Sequence, residues 1–193
     1  MKRLLPALGL LCVVGAASAQ LVVPPSTAKT FSGYDGEPAL QTGLLDHGVQ
    51  GTLASLGAGT VSFTYLGNES GNVNRFSFSV GNQLLTEGSA VGTTVSGLIG
   101  SGALGFSFTD LSTASTFRNG SSAIVYVANV ATKSLGKFQY VIGFNDNGSS
   151  DGDFDDFVVG ANFTPAVPEP QTYALMLAGL GAVGFIARRR RRT

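Results

Sequence analysis

"TVSFTYLGNESGNVNRFSFSV", Thr60 to Val80, contains two runs of alternating apolar and polar residues around a cluster of turn formers. Val61, Phe63 and Tyr65 fall on one phase of the first run, and Phe76, Phe78 and Val80 on one phase of the second. Side chains of an extended chain point to opposite faces in turn, so a period of two reads as a strand with one buried face. Between the runs, Gly67 to Asn74 holds Gly67, Asn68, Gly71 and Asn72, and the pair reads as a β-hairpin with a longer loop.

The same period recurs along the chain. "ALGFSFTDL" aligns Leu104, Phe106 and Phe108; "KFQYVIGF" aligns Phe138, Tyr140, Ile142 and Phe144; "DFVVGANF" aligns Phe157, Val159, Ala161 and Phe163. "SAIVYVANV" is apolar on both faces, as a central strand would be. No body segment keeps a helical period over about twelve residues, and "EPALQTGLLDHGVQGTLASL" is the place for a short helix. Short strands separated by turn residues predict an all-β fold: a single antiparallel β-sandwich or jelly-roll-like domain over residues 20–164, with a linker at 165–167.

Charge narrows the partners. The 193-residue chain has twelve basic and twelve acidic residues, but seven of the bases lie at its ends, as Lys2, Arg3 and Arg188 to Arg192. From Gln20 to Val167, eleven acids face five bases. A body with a net charge of about −6 excludes nucleic acid as a partner, which needs a basic footprint. The single cysteine, Cys12, lies in the N-terminal apolar stretch, so a body without it has no disulfide and rests on packing.

Both ends read as addresses. "MKRLLPALGLLCVVGAASAQ" has a basic start, an apolar run from Leu4 to Gly15, and Ala17-Ser18-Ala19 before Gln20. That pattern predicts a signal peptide over 1–19, with the Sec export machinery and signal peptidase as partners. A lipoprotein acylated at Cys12 is disfavoured by Leu10 and Leu11 before the cysteine. At the other end, Pro168-Glu169-Pro170 precedes the uncharged stretch Thr172 to Ala187 and then Arg188, Arg189, Arg190, Arg191 and Arg192. The prolines favour an extended backbone, the form a protease grips. Sixteen uncharged residues in a helix span about 24 Å against a hydrocarbon core of about 30 Å, so a single transmembrane helix over about 172–187 is marginal. The arginines favour the cytoplasmic side and place the body outside. The alternative is a buried core helix with a basic tail.

"VPEP", an apolar span containing "LAGLGAVGF", and a terminal arginine cluster together resemble the PEP-CTERM sorting signal, over 168–193. The resemblance implies a Gram-negative bacterium that makes exopolysaccharide. It implies transient anchoring in the inner membrane, cleavage near the PEP motif by exosortase, an integral-membrane cysteine protease, and delivery to the cell surface or beyond. The expected role is structural or adhesive in an exopolysaccharide or biofilm matrix, with exopolysaccharide as a partner.

The body's most informative segment is "FNDNGSSDGDFDDFVV", Phe144 to Val159. Asp151, Asp153, Asp155 and Asp156 fall within six residues, with Asp146 just upstream. Like charges this close repel by roughly 1 kcal/mol per pair in water, and calcium, which takes oxygen ligands, would remove that cost. The EF-hand pattern fails, because Asp156 and Asn162 stand where glycine and the closing glutamate belong. The segment resembles the acidic hairpin F-E-D…D-x-D-Y-N-D-L of secreted bacterial β-domains, departing from it at Asn145 and Asp155. Two readings stay open: a calcium site on Asp146, Asp151, Asp153, Asp155 and Asp156, or a solvated acidic turn with Phe154 and Phe157 packed inward.

No catalytic residue is assigned, and the chain is expected not to be an enzyme. Gly148-Ser149-Ser150-Asp151-Gly152 has the G-x-S-x-G form, but a strand pattern follows it, and the only histidine, His47, lies upstream. His47, beside Asp46, reads as a loop histidine, and a zinc site would need more His or Cys. Paired carboxylates acting on a polysaccharide are the enzymatic alternative. A carbohydrate-binding module is the stronger rival, with Tyr34, Tyr65, Tyr126 and Tyr140 available to stack on sugar rings, although Tyr65 and Tyr140 fall on apolar faces. Asn68, Asn119, Asn147 and Asn162 begin N-x-[ST] triplets, read as coincidence.

Overall fold

The computed structural model describes residues 20–30, 47–146, 153–166 and 170–190. The expected signal peptide with Ala17 and Ala19 lies outside the described residues, as do Tyr34, Asp46, Asn147, Ser150, Asp151, Pro168, Glu169, Arg191 and Arg192. In chain order the strands are β1 (Leu21–Val22), β2 (Thr27–Thr30), β3 (His47–Gln50), β4 (Ala54–Ser55), β5 (Gly59–Gly67), β6 (Asn74–Phe78) and β7 (Gln83–Thr86). They continue as β8 (Thr94–Ile99), β9 (Gly102–Ala103), β10 (Phe106–Asp110), β11 (Ser115–Arg118), β12 (Ile124–Ala131), β13 (Lys137–Phe144) and β14 (Phe157–Pro165). One helix, α1 (Pro170–Arg190), follows.

The strands form a seven-stranded antiparallel sheet in the order β2-β3-β12-β13-β14-β5-β8, a four-stranded sheet β11-β10-β6-β7, and a small sheet β1-β4-β9. The first two pack face to face through the aromatic residues that the period-two pattern singled out. Phe63 of β5 meets Phe76 and Phe78 of β6 at ring-centroid distances of 4.9 and 5.0 Å. Phe108 of β10 stacks on Phe144 of β13 at 4.8 Å. Aromatic pairs at these separations add about 0.5–1.5 kcal/mol each beyond the area they bury.

β5 and β6 do not pair, which corrects the hairpin expected from Thr60 to Val80. β5 lies between β14 and β8, and β6 lies between β10 and β7 in the opposite sheet. Alternation fixed the inward face of each strand, but both inward faces meet across the core rather than side by side. The connection after Gly67 crosses from sheet to sheet, and stacked sheets lie only about 10 Å apart. β6 also ends at Phe78, with Val80 opening a short 3-10 turn, Val80–Asn82.

The seven-stranded sheet is buried on its second face as well. There Leu66, Val125, Val130, Val141 and Val158 pack with Phe138 and Phe154. Phe138 was expected beside Ile142 and Phe144, yet its ring turns to this outer cluster and covers Gly160. The turn has a local cause. β13 pairs with β14 only from Tyr140 to Gly143, and the Gln139 N–H bonds to the Asn162 side chain at 2.9 Å in place of a backbone carbonyl. The short helix expected from Glu37 onward is not found among its described residues, because His47–Gln50 and Ala54–Ser55 are strands. β14 reaches Pro165, and the Ala166 N–H still bonds to the Ala58 carbonyl at 2.9 Å, so the sheet holds the chain through the start of the expected linker.

Candidate functional site

Strand register brings the acidic residues to one end of the two sheets. In the four-stranded sheet Asp110, at the end of β10, lies opposite Asn74, at the start of β6. Arg75 pairs with Thr86, which sets Glu87 beside Asn74 on its other flank. From the seven-stranded sheet, Asn145 and Asp146 follow β13, and Asp153 to Asp156 precede β14.

Asp146 is buried and clasps the crossing loop between β5 and β6. Its Oδ2 accepts from Ser70 Oγ and from Asn74 Nδ2, each at 2.6 Å, and its Oδ1 accepts from Asn72 Nδ2 at 3.1 Å. The Asp146 N–H donates to Asp156 Oδ2 at 2.7 Å. Asn145 Nδ2 donates to the Asp153 carbonyl at 2.6 Å, and the Glu69 N–H donates to the Asp155 carbonyl at 3.1 Å. Phe154 is buried in the outer cluster, its backbone lying over Gly143, where a side chain would collide with it.

The electrostatics follow from this crowding. Burial, then the neighbouring carboxylates of Asp153 and Glu69, push Asp155 up to about 8. Burial raises Glu87 as well, opposed by the hydrogen bond from the Asn74 N–H, which reaches Glu87 Oε1 at 2.6 Å. Asp110 is also buried, which acts to raise it. Hydrogen bonds from Thr113 and Ser112 outweigh that burial and hold it below the usual range.

Of the five residues expected to hold calcium, Asp146 bonds Asp156 through its N–H, Asp155 has Asp153 and Asp156 as charged neighbours, and Asp151 lies outside the described residues. Among the described residues no group of three or more His, Cys, Asp or Glu is placed to hold a metal ion. Asn74, Glu87 and Asp110 at this end were not anticipated. Asn74 and Asp110 share the inward phase of Phe76 and Phe108, and a polar residue on the core phase of a strand was the available signal. Glu69 carried none.

The residues considered for other chemistries are mostly structural. Tyr65 and Tyr126 are buried and cannot stack on a sugar, and Tyr140 is half-buried. His47 opens β3, paired with Thr30, rather than lying in a loop. Asn68 accepts from the Tyr65 hydroxyl, and Asn162 bonds the backbones of Gln139 and Lys137. An open groove of about 420 Å³ on the four-stranded sheet is lined by Ser77, Ser79, Asn82, Ser107 and Arg118.

Helix α1 begins at Pro170, earlier than the expected 172, and carries Arg188, Arg189 and Arg190 in its last turn. Pro is tolerated there because the first helical N–H groups have no intrahelical partner. The bases complement the negative end of the helix. Apolar side chains face outward all around it, including Leu175 at 74% and Phe185 at 71% exposure. No helix among the described residues is long and apolar enough to cross a membrane.

A family model of the PEP-CTERM protein-sorting motif matches residues 166–192. No curated protein and no solved structure matches the chain.

Proposed function

We propose that this protein, which carries the sorting motif of exosortase substrates, is made with a signal peptide and exported through the Sec machinery. Helix α1 then holds it briefly in the inner membrane, and exosortase cuts it near Pro168-Glu169-Pro170 and passes it to the cell surface or the extracellular matrix. Its β-sandwich plays a structural or adhesive, non-catalytic part in an exopolysaccharide or biofilm layer. The observation that carries this reading is the placement of the motif: it begins at residue 166, where the sheet lets the chain go. The outward-facing apolar surface of α1 supports a lipid setting, and the shortness of its uncharged stretch suits a transient anchor better than a permanent one. Deleting Pro168 to Thr193 tests it. The expected outcome is a full-length chain recovered in the matrix fraction at the mass of a chain cut near residue 168, and a truncated chain lost from that fraction; a full-length chain that keeps residues 168–193, or a truncated chain that reaches the matrix equally well, would sink the proposal.

A second reading, a carbohydrate-binding module, is favoured by the groove with Ser77, Asn82 and Arg118 on its walls. Hydroxyl, amide and guanidinium groups are the donors and acceptors that sugar hydroxyls need. It lacks support from Tyr65 and Tyr126, whose rings are buried. Glycan-array binding that Arg118→Ala removes would favour it, and product release from the host's own polysaccharide would favour an enzyme instead.

A further inference from the structure

Asn74 is fully buried at the end of the two sheets, and its Oδ1 has no hydrogen-bond partner. An unsatisfied buried acceptor is costly, about 1–3 kcal/mol. The amide cannot be turned to relieve it, because the Nδ2 side faces Asp146, whose carboxylate only accepts when ionised. Asn74 itself is flanked by carboxylates. Glu87 touches Asn74 through the backbone N–H at 2.6 Å, Asp146 touches it through Nδ2 at 2.6 Å, and Asp110 is its cross-strand neighbour. Asp110 turns its carboxylate to its own turn, where it accepts from the Ser112 and Thr113 N–H groups and the Thr113 hydroxyl. The nearest base in sequence, Arg75, sits on the opposite phase of β6 from the buried Asn74 and does not share its inward side. Asn74 Oδ1, which has no donor, and the Glu87 and Asp146 carboxylates, which also accept the hydrogen bonds given above, are hard oxygen ligands.

We infer that this end of the fold binds a divalent cation of the calcium class, with Asn74 Oδ1, the Glu87 carboxylate and the Asp146 carboxylate as its protein ligands. Calcium accepts carboxylate and amide oxygens together and completes its six to eight ligands with water. The site shares Asp146 with the set of Asp146, Asp151, Asp153, Asp155 and Asp156 expected from the sequence, but its other ligands come from β6 and the end of β7, so the ion would fasten the two sheets to each other. It is also compatible with the absence, among the described residues, of any three acids converging on one point, because one ligand is an amide.

Calcium chloride titrated into the full-length chain in detergent tests this. The expected result is a one-site isotherm and a rise in melting temperature of about 3–6 °C at tenfold excess over the dissociation constant. The Asn74 side-chain amide resonances should shift on calcium addition. Glu87→Gln keeps an acceptor for the Asn74 N–H, removes the charge, and should lose the calcium-dependent rise, while Asp153→Asn should keep it. No binding at about 10 mM calcium, well beyond the weakest calcium modules, overturns the inference. So does a rise that survives Glu87→Gln and disappears in Asp153→Asn, which would put the ion in the hairpin instead.

Discussion

Asn119 holds Leu53 as a neighbouring strand would: its Oδ1 accepts the Leu53 N–H at 2.9 Å and its Nδ2 donates to the Leu53 carbonyl at 2.8 Å. The same side chain reaches the Leu104 carbonyl at 2.8 Å and accepts the Tyr126 hydroxyl at 2.7 Å. One amide therefore fills all four of its bonding positions and ties the turn after β11 to β12 and to the small sheet. Asn119→Ala should destabilise the domain by about 3 kcal/mol, since it leaves buried partners unmatched. Tyr126→Phe removes one of the bonds and should cost about 1 kcal/mol. Urea unfolding of both variants checks the order, and equal losses would show that the amide acts only through Tyr126.

Gly160 is required by Phe138. A Cβ on Gly160 would lie 2.5 Å from the Phe138 ring. Overpacking of this kind costs about 1–3 kcal/mol, so Gly160→Ala should lower the melting temperature clearly. Adding Phe138→Leu should recover part of that loss, because residues in contact do not act additively. A thermal double-mutant cycle with no coupling would contradict the packing described.

Asp155 gives the fold a pH dependence. Its carboxyl titrates near 8 in the folded chain, against about 3.9 in an unfolded one. The folded state therefore binds more protons between those values, and stability falls as pH rises from about 4 to about 8, then levels. Asp110, held low by its hydrogen bonds, acts in the opposite sense: its contribution is present above about pH 4 and is lost as pH falls further. In EDTA, the urea midpoint should decline from pH 5.5 to 8.5, and Asp155→Asn should flatten that decline. An unchanged slope in the variant would place the titration elsewhere.

Removing residues 167–193 should leave the β-domain intact. The described side chains of α1 from Leu175 to Arg190 are all exposed, whereas the sheets carry the buried core. The melting temperature of a chain ending at Ala166 should stay within about 2 °C of the full-length value, a change in stability below about 1 kcal/mol. A larger drop would mean that the tail packs on the domain.

Much of the fold was legible because burial in a sheet leaves a period of two. Val61, Phe63 and Tyr65, and Phe157, Val159, Ala161 and Phe163, fill the core as their alternation required. What the period does not carry is the identity of the partner strand. Phe76 belongs opposite Phe63 rather than beside it, and nothing in either run distinguishes those arrangements. Phe138 left its phase because Asn162, 24 positions away, captured the neighbouring backbone and Gly160 left room for the ring. The candidate site was legible only where its residues cluster in sequence. Asp153, Asp155 and Asp156 are visible as a run, whereas Glu69 becomes a neighbour of Asp155, and Glu87 of Asp146, only when the strand ends meet.

The sequence by itself determined the sorting motif, because a proline pair, an uncharged span and a run of arginines are read from residue type and charge along a short stretch of chain. It also determined which residues turn inward, since alternation is a local property of an extended chain. Only the tertiary structure decided that Asn74 sits buried between Asp146 and Glu87 with an unmatched oxygen. That arrangement depends on sheet pairing and on two sheets closing over one another, and such long-range packing leaves no periodic trace in the chain.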